Sequence, residues 1–269
     1  MPGPERSPAR SEEQARLAAI LREAGAIALK TFRGSTLKSW MKGHNSPVSE
    51  ADIAVNELLH ERLPRPGDGW LSEESEHDPT RTTASRVWVV DPIDGTRAYI
   101  EGREDWSISV ALVEQGRPVV AALYAPVTGE LFLATAGEGA ERNGVPISAS
   151  SRPGLKGARV AGPKRMLEAI AARHPEIVVV PRIYSLALRM ARVATGEVDA
   201  AIAGGNAHDW DLAAADLLVH EAGGVMSAVD GTPLIYNRVQ PVHSVLVAAG
   251  CECHAALIAV VRAHAGLRA

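Results

Sequence analysis

Arg86-Val87-Trp88-Val89-Val90-Asp91-Pro92-Ile93-Asp94-Gly95-Thr96 is an apolar run that ends in two carboxylates, a glycine and a hydroxyl. Val87 to Val90, β-branched and aromatic between polar flanks, predicts a short buried strand. Pro92 removes a backbone donor, so the strand is expected to end and a turn to begin at Asp91. Gly95 lets the backbone approach a ligand closely, and the N–H groups of Gly95 and Thr96 are placed to open a short helix, where an anion is favoured. Carboxylates that face a phosphate need a cation between them. The stretch therefore points to Asp91 and Asp94 holding Mg²⁺, with a phosphoryl group seated on the Asp94-Gly95-Thr96 turn. Asp94-Gly95 on its own is also a strong hairpin signal. Asp91 and Thr96 on either side weaken that purely structural reading.

The chain of 269 residues is long enough for one large core or two intimate halves. It is 46% hydrophobic and 22% charged, an ordinary globular balance. A formal charge of −4 leaves no basic footprint, which disfavours a nucleic acid polymer as partner but not a small anionic substrate met through a metal. Cys251 and Cys253 precede His254 without a second cysteine pair, so they read as free thiols rather than a zinc site. No stretch reaches membrane-spanning length and the N-terminus lacks a signal-peptide core, so the expectation is a soluble, cytoplasmic protein with no membrane partner.

Residues 1–10, with three prolines, read as a disordered leader. Ser11 as N-cap and Gln14 three positions on predict a helix to about Phe32. Lys38 to Ser46 reads as a polar loop, followed by a helix capped by Ser49 with Asp52 at its third position, a role that by itself explains Asp52. Trp70-Leu71-Ser72 predicts a short strand delivering Glu73 and Glu74. The acidic stretch to Asp78 suits a solvated loop equally well, unless its strand lies beside the one ending in Asp91, where open α/β sheets place ligands. Ser107 to Val113, Pro118 to Tyr124 and Leu131 to Thr135 predict antiparallel strands, with Asn143-Gly144 as a further hairpin. A composition shift at Ser148 to Gly157 divides residues 11–150, an α+β half, from 151–269, where strand and helix alternate as in α/β folds. There, Asp209 reads as the N-cap of a helix that ends at Gly223-Gly224 and carries Asp211 in its first turn.

Together, Asp91-Pro92-Ile93-Asp94-Gly95-Thr96, Leu71-Ser72-Glu73-Glu74-Ser75, Trp210-Asp211 and Glu221-Ala222-Gly223-Gly224 resemble the inositol monophosphatase superfamily, in order and at the right separations. The resemblance runs from about Ser11 onward. It implies an α/β (α+β) fold, an αβαβα layered sandwich, and Mg²⁺-dependent hydrolysis of a small phosphate ester with two or three ions and lithium sensitivity. It further implies that Glu73, Asp91, Asp94, Asp211 and the Ile93 carbonyl bind metal. Thr96 and Asp52 would orient and activate the attacking water, with Glu74 nearby, and Ser185 and Arg189 would contact substrate. Arg189 reads equally as a solvated helix residue. A homodimer is implied on the same ground.

Lys42, Asn45-Ser46-Pro47-Val48-Ser49 and Asp52 look like the entry motif of bacterial 3'(2'),5'-bisphosphate nucleotidases of the CysQ type, although His44 and Ser49 depart from it. Neither Ala203 nor Gly204 supplies the glutamate with which inositol monophosphatases hold a sugar hydroxyl. A polyol would be left poorly paired there, so 3'-phosphoadenosine 5'-phosphate is preferred over an inositol or sugar phosphate. Two other readings stay open from the residues: a haloacid-dehalogenase-like phosphatase, whose D-x-D-G-T loop is one residue shorter than D-x-x-D-G-T here, and a catalytically silent binding protein.

Overall fold

The structure is a computed structural model that describes residues 8–35, 37–42, 46–76 and 78–265. Residues 1–7, His44 and Asn45 lie outside the described residues. Helix α1 (Pro8–Thr31) and a hairpin of β1 (Ser39–Lys42) and β2 (Ser46–Ser49) lead into α2 (Glu50–Arg62). β3 (Gly69–Ser72), β4 (Arg86–Asp94), the one-turn α3 (Thr96–Ile100), β5 (Ser107–Glu114), β6 (Arg117–Ala125), β7 (Glu130–Thr135), β8 (Gly139–Arg142) and β9 (Val145–Pro146) follow. The strands form a seven-stranded sheet in sequential order, with only β3–β4 parallel.

Next come β10 (Arg159–Ala161), α4 (Lys164–Ala171), β11 (Val178–Val179), α5 (Leu186–Ala194), β12 (Ala200–Ala203), β13 (Ala207–His208) and α6 (Asp209–Glu221). The chain closes with β14 (Gly224–Ala228), β15 (Val242–His243), β16 (Leu246–Gly250) and α7 (Cys251–Ala265). The second sheet has the order β11-β10-β12-β16-β14.

Period-two alternation builds the layers. Along β4, Trp88 and Val90 pack with Leu17, Leu21, Val55 and Leu59 of α1 and α2, whereas Val87 and Val89 face Met190, Leu212 and Leu218 of α5 and α6. Ala201, Ala203 and Ala248 of the second sheet join the α5–α6 core, while Val160, Ile202 and Val247 turn to Leu167 of α4 and Leu257 and Val261 of α7. The order α1/α2, sheet, α5/α6, sheet, α4/α7 is the expected αβαβα sandwich. No helix of the described residues is long and apolar enough to cross a membrane.

Several local expectations are corrected. Lys38 to Ser46, expected as a polar loop, contains β1 and the first residue of β2, which pair antiparallel, and β14 was not anticipated. Helix α1 starts at Pro8, so residues 8–10 are helical rather than part of the leader. The N-cap of α6 is His208, and Asp209 is its first residue; its carboxylate instead accepts from Asn237 N (2.6 Å) and pairs with His243 Nε2 (2.7 Å). β4 does not stop at Asp91. Asp91 pairs with Ser109 and Asp94 with Ser107, so Pro92 and Ile93 face one residue across a bulge. A bulge is where a strand tolerates a residue without a donor, and it re-aims the side chains that follow.

Close backbone approach constrains the seam beside β16. A Cβ built on Gly250 would lie 1.8 Å from the Ser150 carbonyl oxygen. Gly250→Ala is therefore expected to lower the free energy of unfolding by about 2 kcal/mol or more, read as a lower urea midpoint. An unchanged midpoint would contradict this packing.

Candidate active site

The parallel pairing of β3 with β4 sets Ser72 beside Val90, so Glu73 and Asp91 leave the same sheet edge together, with Glu73 N donating to Val90 O at 3.3 Å. The bulge then brings Asp94 back toward the cluster. Helix α6, running between the sheets, supplies Asp211 from its first turn. Asp91, Asp94 and Asp211 each offer an oxygen within 4.8 Å of the others, a donor set of hard oxygens suited to a divalent cation such as Mg²⁺. Glu73 lies outside that tight group, but its charge acts on Asp91 and Asp211.

Electrostatics show what this packing costs. Burial, then the neighbouring acids, raises Asp91 well above the ordinary carboxylate range; burial and the charge of Asp94 do the same to Asp211. Asp94 is raised by burial although its hydrogen bonds oppose the shift. Burial and the adjacent Glu74 push Glu73 to about 7, and burial pushes Asp52 to about 6. A cation placed among these groups removes the like-charge penalty and returns them to the ionised form.

Each acid is held by the element that delivers it. Asp91 Oδ1 accepts from Ile93 N (3.0 Å), and Asp211 Oδ2 accepts from His208 N (2.7 Å) in a capping box. Asp94 accepts from Ser185 Oγ, Leu186 N (3.1 Å) and Ala187 N (2.6 Å), so it also caps α5. The Ser185 hydroxyl is shared among Asp94, Ser107 Oγ (2.9 Å) and Leu188 N (2.9 Å). Gly95, at φ +94°, permits this meeting, because a Cβ there would lie 3.1 Å from Ser185 N.

Asp52 does more than cap α2. Its Oδ2 accepts from Ser49 N (2.9 Å) and Ser49 Oγ (2.6 Å), while its Oδ1 faces the Thr96 hydroxyl at 3.2 Å. Thr96 Oγ1 is also 3.1 Å from the Ile93 carbonyl, so these two acceptors compete for one proton. Glu74 is tied to Lys42, whose ammonium also reaches the Glu73 carbonyl at 2.7 Å. The sequence reading placed Lys42 in the nucleotidase-like entry motif but gave it no partner; its side chain crosses from the hairpin to Glu74, a pairing that spacing does not reveal.

Arg189 is 9% exposed, against the reading of it as a solvated helix residue. Its guanidinium donates to the Ile183 carbonyl (2.7 Å from Nη2) and to the Ile202 carbonyl (3.5 Å), within electrostatic reach of Asp94. The thiols of Cys251 and Cys253 are free, and His254 Nε2 is 3.0 Å from Ser227 Oγ.

A five-layer sandwich with an acid cluster at the edge of its larger sheet defines a class of α/β phosphatases. The chain belongs to the inositol monophosphatase family, whose model matches residues 9–265. It is accordingly a phosphoric monoester hydrolase, which sets aside both the haloacid-dehalogenase-like and the silent readings. An inositol monophosphatase of Dictyostelium discoideum is 35% identical over 221 residues, covering 77% of this chain and 81% of that protein. The 3'(2'),5'-bisphosphate nucleotidase CysQ of Aggregatibacter actinomycetemcomitans is 30% identical over 225 residues, covering 78% and 82%. Among solved structures, the extragenic suppressor protein suhB of Bartonella henselae superposes with a TM-score of 0.81 at 28% identity, covering 92% of this chain and 97% of that one.

The raised pKa of Glu73 has a direct consequence for the metal-free protein. Its folded value near 7 exceeds its ordinary 4.5, so stability from this group is full below about 4.5 and is lost as pH rises through 7. Glu73→Gln is expected to be more stable than the wild type at pH 8, by at most about 3 kcal/mol, with the difference vanishing toward pH 4. Denaturant unfolding in EDTA at both pH values reads it; a pH-independent difference would contradict the burial argument.

Proposed function

We propose that the protein is a Mg²⁺-dependent phosphomonoesterase that hydrolyses 3'-phosphoadenosine 5'-phosphate at its 3'-phosphate. The observation that carries the catalytic part is the convergence of Asp91, Asp94 and Asp211 beside the Thr96–Asp52 pair. Asp91, Asp94, Asp211, Glu73 and the Ile93 carbonyl would hold the metal. When bound, Mg²⁺ supplies Lewis-acid stabilisation of the phosphoryl oxygens and a water of lowered pKa.

The remaining work falls to the chain's own groups. Thr96 Oγ1 is positioned to accept a hydrogen bond from the attacking water while passing its own proton toward Asp52 Oδ1. Asp52, with a pKa near 6, is largely ionised at neutral pH yet basic enough to receive that proton. Ser49 fixes the other oxygen, which keeps Oδ1 aimed at Thr96. Glu74, neutralised by Lys42, holds the β1–β2 hairpin against the end of β3. Gly95 and Thr96, at the start of α3, offer backbone donors to the phosphate, and the bond that breaks is the ester P–O bond to the leaving alcohol.

Substrate choice rests on β12. Its residues, Ala200–Ala203, are all buried and are followed by Gly204 and Gly205, so the stretch that leads to β13 and α6 carries no carboxylate to accept from a polyol. A nucleotide ribose makes less demand there. The similarity to the Aggregatibacter nucleotidase supports the same reading. The alternative, an inositol-1-monophosphatase or sugar phosphatase, draws on the higher identity to the Dictyostelium protein. A cytoplasmic location and a homodimer belong to this proposal as well.

Phosphate release with Mg²⁺ is expected to favour 3'-phosphoadenosine 5'-phosphate over inositol 1-phosphate by about 10-fold or more in kcat/KM; the reverse order would install the alternative. Asp91→Asn and Asp211→Asn are each expected to lower kcat by about 100-fold or more while leaving the metal-free fold as stable as the wild type or more so. Near-wild-type turnover by both variants would remove the metal assignment.

A further inference from the structure

Beside the start of α5 lies an open cavity of about 460 Å³, lined by Arg33, Arg103, Glu104, Asp105, Arg182 and Ile183. Two of its guanidiniums, Arg103 and Arg182, lie over the Tyr184 ring, 4.5 Å and 4.2 Å from the centroid. Tyr184 immediately precedes Ser185, whose hydroxyl donates to Asp94. The cavity lining therefore reaches Ile183, two residues before the serine that binds Asp94 of the acid cluster.

The backbone of this shelf is pinned from two sides. Arg189 donates to the Ile183 carbonyl, between Arg182 and Tyr184. Asp105 accepts from Tyr184 N at 2.8 Å through its side chain and from Ser185 N at 3.1 Å through its carbonyl. Both acids of the cavity are committed elsewhere. Glu104 pairs with Arg33 at 3.2 Å, and Asp105 with Arg103 Nε at 3.1 Å. Among the described residues Arg182 has no carboxylate in salt-bridge range, and its guanidinium lies over the Tyr184 ring. Arg189 senses both the Arg182 and the Asp94 charges, which places all three in one electrostatic neighbourhood.

A guanidinium resting on an aromatic face uses its π-face for that contact and keeps its in-plane N–H fork free. That fork matches the spacing of two phosphate oxygens. We propose that Arg182, supported by Arg103 and Tyr184, forms an anion subsite that holds a second, non-reacting phosphate of the substrate, so that the enzyme selects esters bearing two phosphates. The inference rests on the phosphatase reading of the neighbouring acid cluster and assigns its specificity to particular side chains. Selection follows because a monophosphorylated ester leaves the fork unpaired, while a bisphosphorylated one satisfies it.

The test compares the wild type, Arg182→Gln and Arg182→Lys, each with Mg²⁺, on 3'-phosphoadenosine 5'-phosphate and on adenosine 3'-monophosphate. These share the reacting phosphate and differ only in the second one. Arg182→Gln is expected to raise KM for the bisphosphate about 10-fold or more while leaving kcat, and both constants for the monophosphate, within about twofold; Arg182→Lys recovers part of the loss. Equal losses on both substrates, or none on either, overturn the subsite. A wild type that hydrolyses neither compound defeats the nucleotidase reading, and the subsite is then read separately by binding of adenosine 5'-monophosphate in EDTA, where no metal draws a phosphate to the acid cluster. Weakening of that binding about fivefold or more by Arg182→Gln supports the subsite; equal binding, or none by the wild type, overturns it.

Discussion

Mutual repulsion among buried carboxylates is the constraint on which the rest of this structure depends. Asp91, Asp94 and Asp211 each offer an oxygen within 4.8 Å of the others, with Glu73 and Asp52 in electrostatic reach, and burial raises the pKa of every one of the five. No fold gathers such groups for stability. The αβαβα sandwich holds the five by anchoring them to four rigid elements: Glu73 at the end of β3, Asp91 and Asp94 at the bulge of β4, Asp211 in the first turn of α6 and Asp52 in the first turn of α2. The cost is borne by cores on both faces of the larger sheet, where Trp88, Val90, Val87 and Val89 alternate between two helical layers. Rigidity of this kind positions a metal without requiring the site to reorganise when one arrives.

The helix termini serve the same end. Asp52 and Asp211 both sit third in their helices and return to the backbone N–H of the cap, so capping and site geometry are set by one carboxylate. Asp94 does this across elements, capping α5 while belonging to β4. One oxygen of Asp52 is thus committed to Ser49, leaving the other for Thr96. The structural and chemical readings of these acids, which compete on paper, describe the same side chains.

Much of this was legible in the chain. The β-branched and aromatic run Val87 to Val90, the glycine stop after α6 and the turn residues of the antiparallel strands marked the elements, because residue type and turn chemistry are local properties, and the motifs' resemblance to the superfamily implied their layering. Ser49 with Asp52 gave the start of α2 for the same reason. What failed was nonlocal. Pro92 argued for a strand end, yet pairing with β5 carries the ladder past it through a bulge, at a site where two serines on the neighbouring strand set the register. Asp209 looked like a cap until His243 and Asn237, from a distant segment, claimed its carboxylate. Arg189 looked solvated because nothing in its helix announces the carbonyls of Ile183 and Ile202 that bury it. Lys42 reaches Glu74 only because the β1–β2 hairpin folds over the end of β3.

The most direct measurement is calorimetric titration of Mg²⁺ into the purified protein at about pH 6 with inorganic phosphate present, repeated in buffers of different ionisation enthalpy. Acids held above their ordinary pKa by burial and by each other must lose protons when a cation enters. The account predicts saturable binding accompanied by net proton release, with both abolished by Asp91→Asn. Absence of binding, or binding without proton release, would contradict the claim that this cluster exists to hold a metal.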